Sequence, residues 1–453
     1  MKRLISLMLA AVLLTALTAG CAKKDGDSDG GGSSGGQVTI TVADLLLTEA
    51  GTNEFILQKQ EEFDELYGDK IKVEHILPVN SSEINAVQTL STILISRDAP
   101  AYVPVSSTLY LKDLYNMGLV KDITAAVADN EDFAKLLPAA QDAVKYGDSI
   151  IGWPSNIEIP LLGFFNDALT EAGYDPETFT CETWDDYYEI AKKMTTAAHS
   201  GASIYASEFY LWPNNWFLAN GAEVALQNDD GTITLNYTDE KVVQTIEYLR
   251  KLYSEGLTNA NINYTDVDNM LSLIYKKNVA SFTMYPTWIS MFVNAGIDPQ
   301  DITLRPFPKG PSGEYSSAMY VSGYAFNSQL SDEELAAAIQ YLTFMTDDAY
   351  HAEYFQYCAD NGISTLLIPP YESLDWYSHL TDFPDSWISV VQEAIKTAEP
   401  SKLNSTSHST YISAVLPGII SSDTDIVAAM KAAEETTKSE WLDSFNKDVL
   451  SRS

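Results

Sequence analysis

Three kinds of residue are scarce in this chain, and each scarcity excludes something. Cysteine occurs at 21, 181 and 358 only, so a disulfide-dense scaffold is unavailable. Cys181 and Cys358 allow one bridge or two unpaired buried thiols. Histidine occurs at 75, 199, 351, 379 and 408, with no helical pair, so no metal site is written in the sequence and no cofactor is implied. Basic residues number 27 against 63 acidic ones, a net charge of −36. Such a field opposes nucleic acid and anionic lipid surfaces. Catalytic signatures are missing too: there is no GxSxG elbow, no Walker loop and no HExxH. Carboxylate pairs must exist among so many acids, but a glycosidase needs two opposed across one bond, which sequence cannot show.

What is present begins with a leader. Lys2-Arg3 precedes an apolar run from Leu4 to Leu17, too short to span a bilayer comfortably, and Thr18-Ala19-Gly20 leads to Cys21. Residues 1–20 resemble a lipoprotein signal peptide, in which Cys21 becomes the acylated first residue. Thr18 stands where that pattern prefers leucine. Residues 21–37 follow as a flexible, solvated tether. Asp25, Asp27 and Asp29 mimic the opening of a calcium loop, but the closing glutamate position is Gly36.

Beyond the tether the length, 453 residues, calls for more than one compact unit. Val38–Ala43, Ile71–Leu77 and Ala101–Val105 read as strands alternating with helical segments, which implies crossovers and a largely parallel sheet. Phe209–Asn220 is an aromatic-rich run around Pro-Asn-Asn. The turn at Asn228–Gly231 predicts a hairpin, and Glu240–Glu255 and Asn269–Lys277 predict helices.

The most informative stretch is Ile150–Met194. Two apolar strand-like runs flank Gly152-Trp153-Pro154; Phe165-Asn166, Ala172-Gly173, Pro176 and Thr183-Trp184-Asp185 follow in order. Thr183 and Asp186 are placed to cap a helix. This order resembles the extracellular solute-binding proteins of ABC importers, the family 1 sugar-binding group. Leu109–Val120, Val279–Trp288 (with Asn278 in place of the family glycine) and Pro308–Pro311 extend the resemblance. It implies an α/β, periplasmic-binding-protein-like fold: two lobes, each with a central mainly parallel sheet flanked by helices, joined by a three-segment hinge. The expected boundaries are 38–152 with 282–326 for lobe I and 153–281 with 327–453 for lobe II. Crossings are expected near 152–160, 280–288 and 323–329.

The resemblance implies a carbohydrate, taken up in an interlobe cleft and passed to ABC permease subunits. It implies no enzyme, no cofactor and no nucleic acid. The expected protein is a monomer held on the extracytoplasmic face of the cell membrane by its lipid anchor alone. A sugar ring has an apolar face for an indole or phenol and a polar rim for amides and carboxylates. The candidates are Asp44, Trp153, Asn156, Glu158, Tyr210, Trp212, Asn215, Trp216, Tyr285, Trp288, Tyr320 and Ser322. Trp184, Trp387 and Trp441 fall in helical patterns and are expected in cores. The alternatives are the same fold holding a polyamine or peptide, a secreted carbohydrate-active enzyme, and a surface adhesin.

Overall fold

A computed structural model describes residues 36–43, 51–76, 87–207, 212–228, 230–264, 267–371, 383–400 and 407–452. The leader, most of the tether, Asp44 and Tyr210 lie outside the described residues. The elements that position the site begin with β1 (Val38–Val42), α1 (Asn53–Tyr67), β2 (Ile71–His75), β3 (Tyr102–Val105) and α2 (Leu109–Asn116). Then come α3 (Pro138–Ala143), β4 (Trp153–Glu158), β5 (Leu161–Phe165), α4 (Trp184–Met194), α5 (Pro213–Ala219) and α6 (Glu240–Ser254). The later ones are β6 (Ser281–Met284), β7 (Ile302–Arg305), β8 (Ser317–Phe326), α7 (Asp332–Phe344), α8 (Asp348–Asn361), α9 (Asp385–Thr397) and β9 (Ala398–Pro400). The expected hairpin joins strands 225–227 and 233–235.

Local chemistry accounts for the ends of these elements. Thr183 and Asp186 form the expected capping box of α4: the Asp186 amide donates to the Thr183 hydroxyl at 3.2 Å and the Thr183 amide to the Asp186 carboxylate at 2.9 Å. Ser331 and Glu334 do the same for α7. The turn before β6 does need a left-handed residue, but it is Lys277 (φ 51°), one place before Asn278. The Asn278 amide then donates to the Leu273 carbonyl, closing the preceding helix.

Residues Val38–Ser453 form one compact unit, and its buried side chains separate into two cores. The smaller holds Ile40, Val42, Phe63, Val103, Leu111, Trp153, Ala325 and Leu342. The larger holds Ile157, Phe164, Trp184, Trp216, Phe282, Leu304, Val321 and Trp387. Two strands pass from one to the other: β4 has Trp153 in the smaller core and Ile157 in the larger, and β8 has Val321 in the larger and Ala325 in the smaller. They pair antiparallel, with a register shift between Ser322 and Gly323. The shift lies where the backbones come closest, since a Cβ on Gly323 would sit 2.4 Å from the Trp153 carbonyl oxygen.

Two expectations need correction. The sheets are mixed rather than mainly parallel. Among the described pairs β1–β2 and β8–β9 run parallel, while β6 and β7 flank β5 antiparallel and β3 and β4 pair with β8 antiparallel. Late strands return beside early ones in the opposite direction. The segment boundaries also differ. The break at 285–288 is not a passage between cores but a 3₁₀ turn, after which the chain returns to the same sheet through β7. Helix α7, expected with lobe II, packs Leu335, Ile339 and Leu342 into the smaller core instead.

Candidate functional site

Alternation along the paired β4 and β8 builds a floor. Tyr320 stands opposite Glu158 and Ser322 opposite Asn156. A two-residue side-chain period puts these four on one face, where all are half-buried. The intervening Ile157 and Val321 are buried on the other face, which α3 covers. The Ser322 hydroxyl donates to the Ser106 carbonyl at 2.9 Å, tying the floor to the segment after β3.

The next layer comes from the turn after β6. Thr287 donates its hydroxyl to Glu158 Oε1 at 3.0 Å. On either side of it, the rings of Tyr285 and Trp288 lie 4.8 Å apart at 47°. The Tyr285 ring is also 6.1 Å from that of Tyr320. Tyr285 is 1% exposed, whereas Trp288 is half-buried. Helix α5 closes the group from a third direction: Asn214 Nδ2 donates to the Tyr320 hydroxyl at 3.1 Å, and Asn215 hydrogen-bonds Tyr285. One aromatic pair, two phenol hydroxyls, a carboxylate and two amides therefore converge where the chain passes between cores.

Burial dominates the electrostatics of the cluster. Burial raises the Glu158 carboxyl above its ordinary value, and the Thr287 hydroxyl opposes that shift in part. No cation contributes. Burial also raises the phenols of Tyr285 and Tyr320, so both stay protonated and act through neutral hydroxyls.

The other sequence candidates are placed differently. Trp153 packs against Phe133 in the smaller core, ring centroids 5.4 Å apart, with no exposed surface. Trp216 is enclosed by Trp184, Tyr187, Tyr248 and Phe307 in the larger core. Trp212 is buried against it at 5.7 Å. These rings fill cores rather than joining the cluster. Trp184 and Trp387 are buried as expected, and Trp441 is half-buried against Phe445. Asn156 faces a small cavity of about 90 Å³ with Tyr102, Tyr324 and His351. The reading of the sequence missed Asn214 and Thr287. Both were flagged by position alone: one adjoins Asn215 in Pro-Asn-Asn, the other separates Tyr285 from Trp288.

A groove of about 730 Å³ lies elsewhere, between α7 and the 121–132 segment, lined by aspartates and aliphatic side chains among others. It touches none of the clustered residues. The cluster itself suits a ligand with an apolar face and a polar rim, because its rings and hydrogen-bonding groups share one surface. Among the described residues the cluster presents one carboxylate, Glu158. Among the described residues no group of acids, histidines and cysteines could hold a metal ion, and no helix is long and apolar enough to cross a membrane.

Comparison with known proteins shows the family and the fold. Residues 48–352 match the family described as bacterial extracellular solute-binding protein. An ABC substrate-binding protein from Listeria monocytogenes, solved in complex with cycloalternan, superposes with a TM-score of 0.68 at 18% identity, covering 89% of this chain and 99% of that one. The cyclic alpha-maltosyl-1,6-maltose binding protein from Arthrobacter globiformis gives 0.70 at 14%, covering 91% and 99%. The sugar-binding protein MalE from Xanthomonas citri gives 0.72 at 14%, covering 92% and 98%. No curated protein matches the sequence significantly.

Proposed function

The chain belongs to the bacterial extracellular solute-binding proteins, and from that premise we propose that it captures a carbohydrate, an oligosaccharide first, at the Glu158–Tyr285–Trp288–Tyr320 cluster. The observation that carries this reading is the shared surface: an indole and a phenol at 4.8 Å beside a carboxylate and phenol hydroxyls already held by Thr287 and Asn214. A pyranose offers both faces at once, so one ring satisfies both sets of groups. Asn156, Asn215 and Ser322 complete the site, with Asp44 and Tyr210 proposed as further contributors.

Capture works by population shift. A ligand that touches groups tied to both cores gains most when the cores approach, so it favours the closed arrangement. The loaded protein then delivers its sugar to the permease subunits of an ABC importer. It acts as a monomer on the outer face of the cell membrane, held there by lipid on Cys21. We read it as a binding protein rather than an enzyme, in keeping with its family.

Calorimetry with neutral mono- and oligosaccharides tests this directly. The expected result is at least one saturable interaction with one site per chain. Binding to a polyamine or a peptide, with no saccharide bound across a broad panel, refutes the carbohydrate assignment. Turnover of a chromogenic glycoside refutes the assignment of a binding protein.

A further inference from the structure

The floor of the site does not end at Ser322. We propose that the small cavity beside it is a side pocket of the same site, which takes one hydroxyl-bearing substituent of the bound sugar, with His351 as acceptor and the Asn156 amide as donor. This rests on the carbohydrate reading above and deepens it.

The pocket arises from the irregular step in the strand pair. Asn156 pairs with Ser322 and Pro154 with Gly323, so Ser155 is an extra residue with no partner opposite. Such a bulge re-aims a side chain, and here Ser155 and Asn156 both line the cavity. Along β8 the floor face runs on from Tyr320 and Ser322 to Tyr324, whose ring lies 5.1 Å from that of Tyr102. Among the lining residues, Tyr102 and Leu342 belong to the smaller core and Tyr354 to the larger. The pocket therefore touches both cores, as the cluster does. Its volume is about 90 Å³. That is several times the roughly 10–15 Å³ that one water needs, and well below the roughly 300 Å³ of a whole-ligand pocket. The size suits a substituent rather than a ring.

His351 and Asn156 each keep a hydrogen-bonding atom unused. His351 is 3% exposed, and its Nδ1 lies 2.8 Å from the Asp347 carbonyl oxygen. A carbonyl only accepts, so Nδ1 carries the proton and Nε2 keeps a lone pair. Burial pushes this histidine down to about 4, so the ring is neutral at neutral pH. Among the described residues Nε2 has no hydrogen-bond partner. The Ser155 hydroxyl donates to Asn156 Oδ1 at 3.0 Å, which leaves the Asn156 amide hydrogens without a partner among the described residues. A sugar hydroxyl can give its proton to Nε2 and accept from the amide, or two neighbouring hydroxyls can divide these roles. A hydrogen or methyl in its place leaves both groups unmatched, which is costly where they are buried.

Calorimetry with the tightest-binding saccharide of the panel and its monodeoxy analogues tests the pocket. In the wild type, one analogue should bind about tenfold more weakly than its parent. His351→Leu keeps the bulk and removes the acceptor. The parent sugar should then weaken by about tenfold, and its difference from that analogue should vanish. His351→Gln, whose amide oxygen can stand near the place of Nε2, should restore part of both. In nitrogen-15 spectra of the wild type, the unprotonated His351 nitrogen, assigned by its absence from His351→Gln, should shift when the saccharide binds. Thermal melts report whether each variant is folded. An unmoved nitrogen signal, or a His351→Leu protein that keeps every deoxy difference, would overturn the proposal while leaving carbohydrate binding standing. A wild type that binds no saccharide removes both.

Discussion

Replacing Gly323 by alanine probes the demand on which the whole site rests, the close approach of β4 and β8. An added Cβ would lie 2.4 Å from the Trp153 carbonyl oxygen. That atom is backbone and cannot rotate aside, so the strands must separate by about 1 Å at the bulge, stretching ladder bonds, at a cost of about 2–4 kcal/mol. Gly152 makes a milder test. There a Cβ meets Leu111 Cδ1 at 2.6 Å and the Tyr324 carbonyl oxygen at 2.9 Å; the leucine can change rotamer, while the carbonyl must yield slightly. Gly118 supplies the reference: its φ is +74° with nothing within 4 Å, so alanine there meets only the left-handed penalty of about 1–2 kcal/mol. Urea midpoints, compared at unchanged slope, should therefore fall furthest for Gly323→Ala and less for the other two. Tyr320 lies three residues from the bulge, so Gly323→Ala should also weaken saccharide binding, and Gly118→Ala should leave it alone. A Gly323→Ala protein as stable as Gly118→Ala would refute the packing argument.

Three further outcomes follow from single residues. Glu158→Gln should stabilise the unliganded protein at neutral pH and do little in acid. Burial raises this carboxyl from its ordinary 4.5, so the folded chain holds the proton longer than the unfolded one. Wild-type stability is then lost as pH rises from 4.5 through the folded value, and a pH-independent gain in denaturant midpoint would contradict this. Lys277→Gly should be more stable than Lys277→Ala by about 1 kcal/mol in urea melts, since both lose the exposed ion pair to Asp167 and only glycine relieves φ 51°. Cys181 and Cys358 are buried thiols with no bridge between them, and burial pushes the Cys181 thiol up. A thiol reagent should therefore label neither in the native protein and both after unfolding; labelling of neither after unfolding without reductant would reveal a bridge.

Much of this was legible because some signals are local. The capping box at Thr183, the first strand, expected over Val38–Ala43 and found over Val38–Val42, and the hairpin near Asn228 depend on neighbours in sequence. The pairing of Glu158 with Tyr320 is set by register across 162 positions, which no local pattern encodes. The same limit explains the misplaced crossing at 280–288. Tyr-Pro-Thr-Trp looks like a strand-breaking exit, and only the antiparallel return of β7 beside β5 shows that the chain stays with its core. Aromatic residues were the least legible group. Trp216 and Trp288 look alike in sequence, yet one is sealed among five rings and the other is half-buried beside Thr287. Asn214 was marked only by its place beside Asn215, because its contact is with the phenol that β8 brings to it.

The central claim is that a saccharide ring lies against Trp288. Among the described tryptophans in or near the cluster, Trp153, Trp212 and Trp216 are buried, and Trp288 is the one half-buried beside it. Its removal is therefore the most direct test: titrate the wild type and Trp288→Ala with the same oligosaccharide by calorimetry. The predicted result is a loss of about 10- to 100-fold in affinity with an unchanged melting profile. An affinity equal to that of the wild type would place the sugar elsewhere and contradict the account.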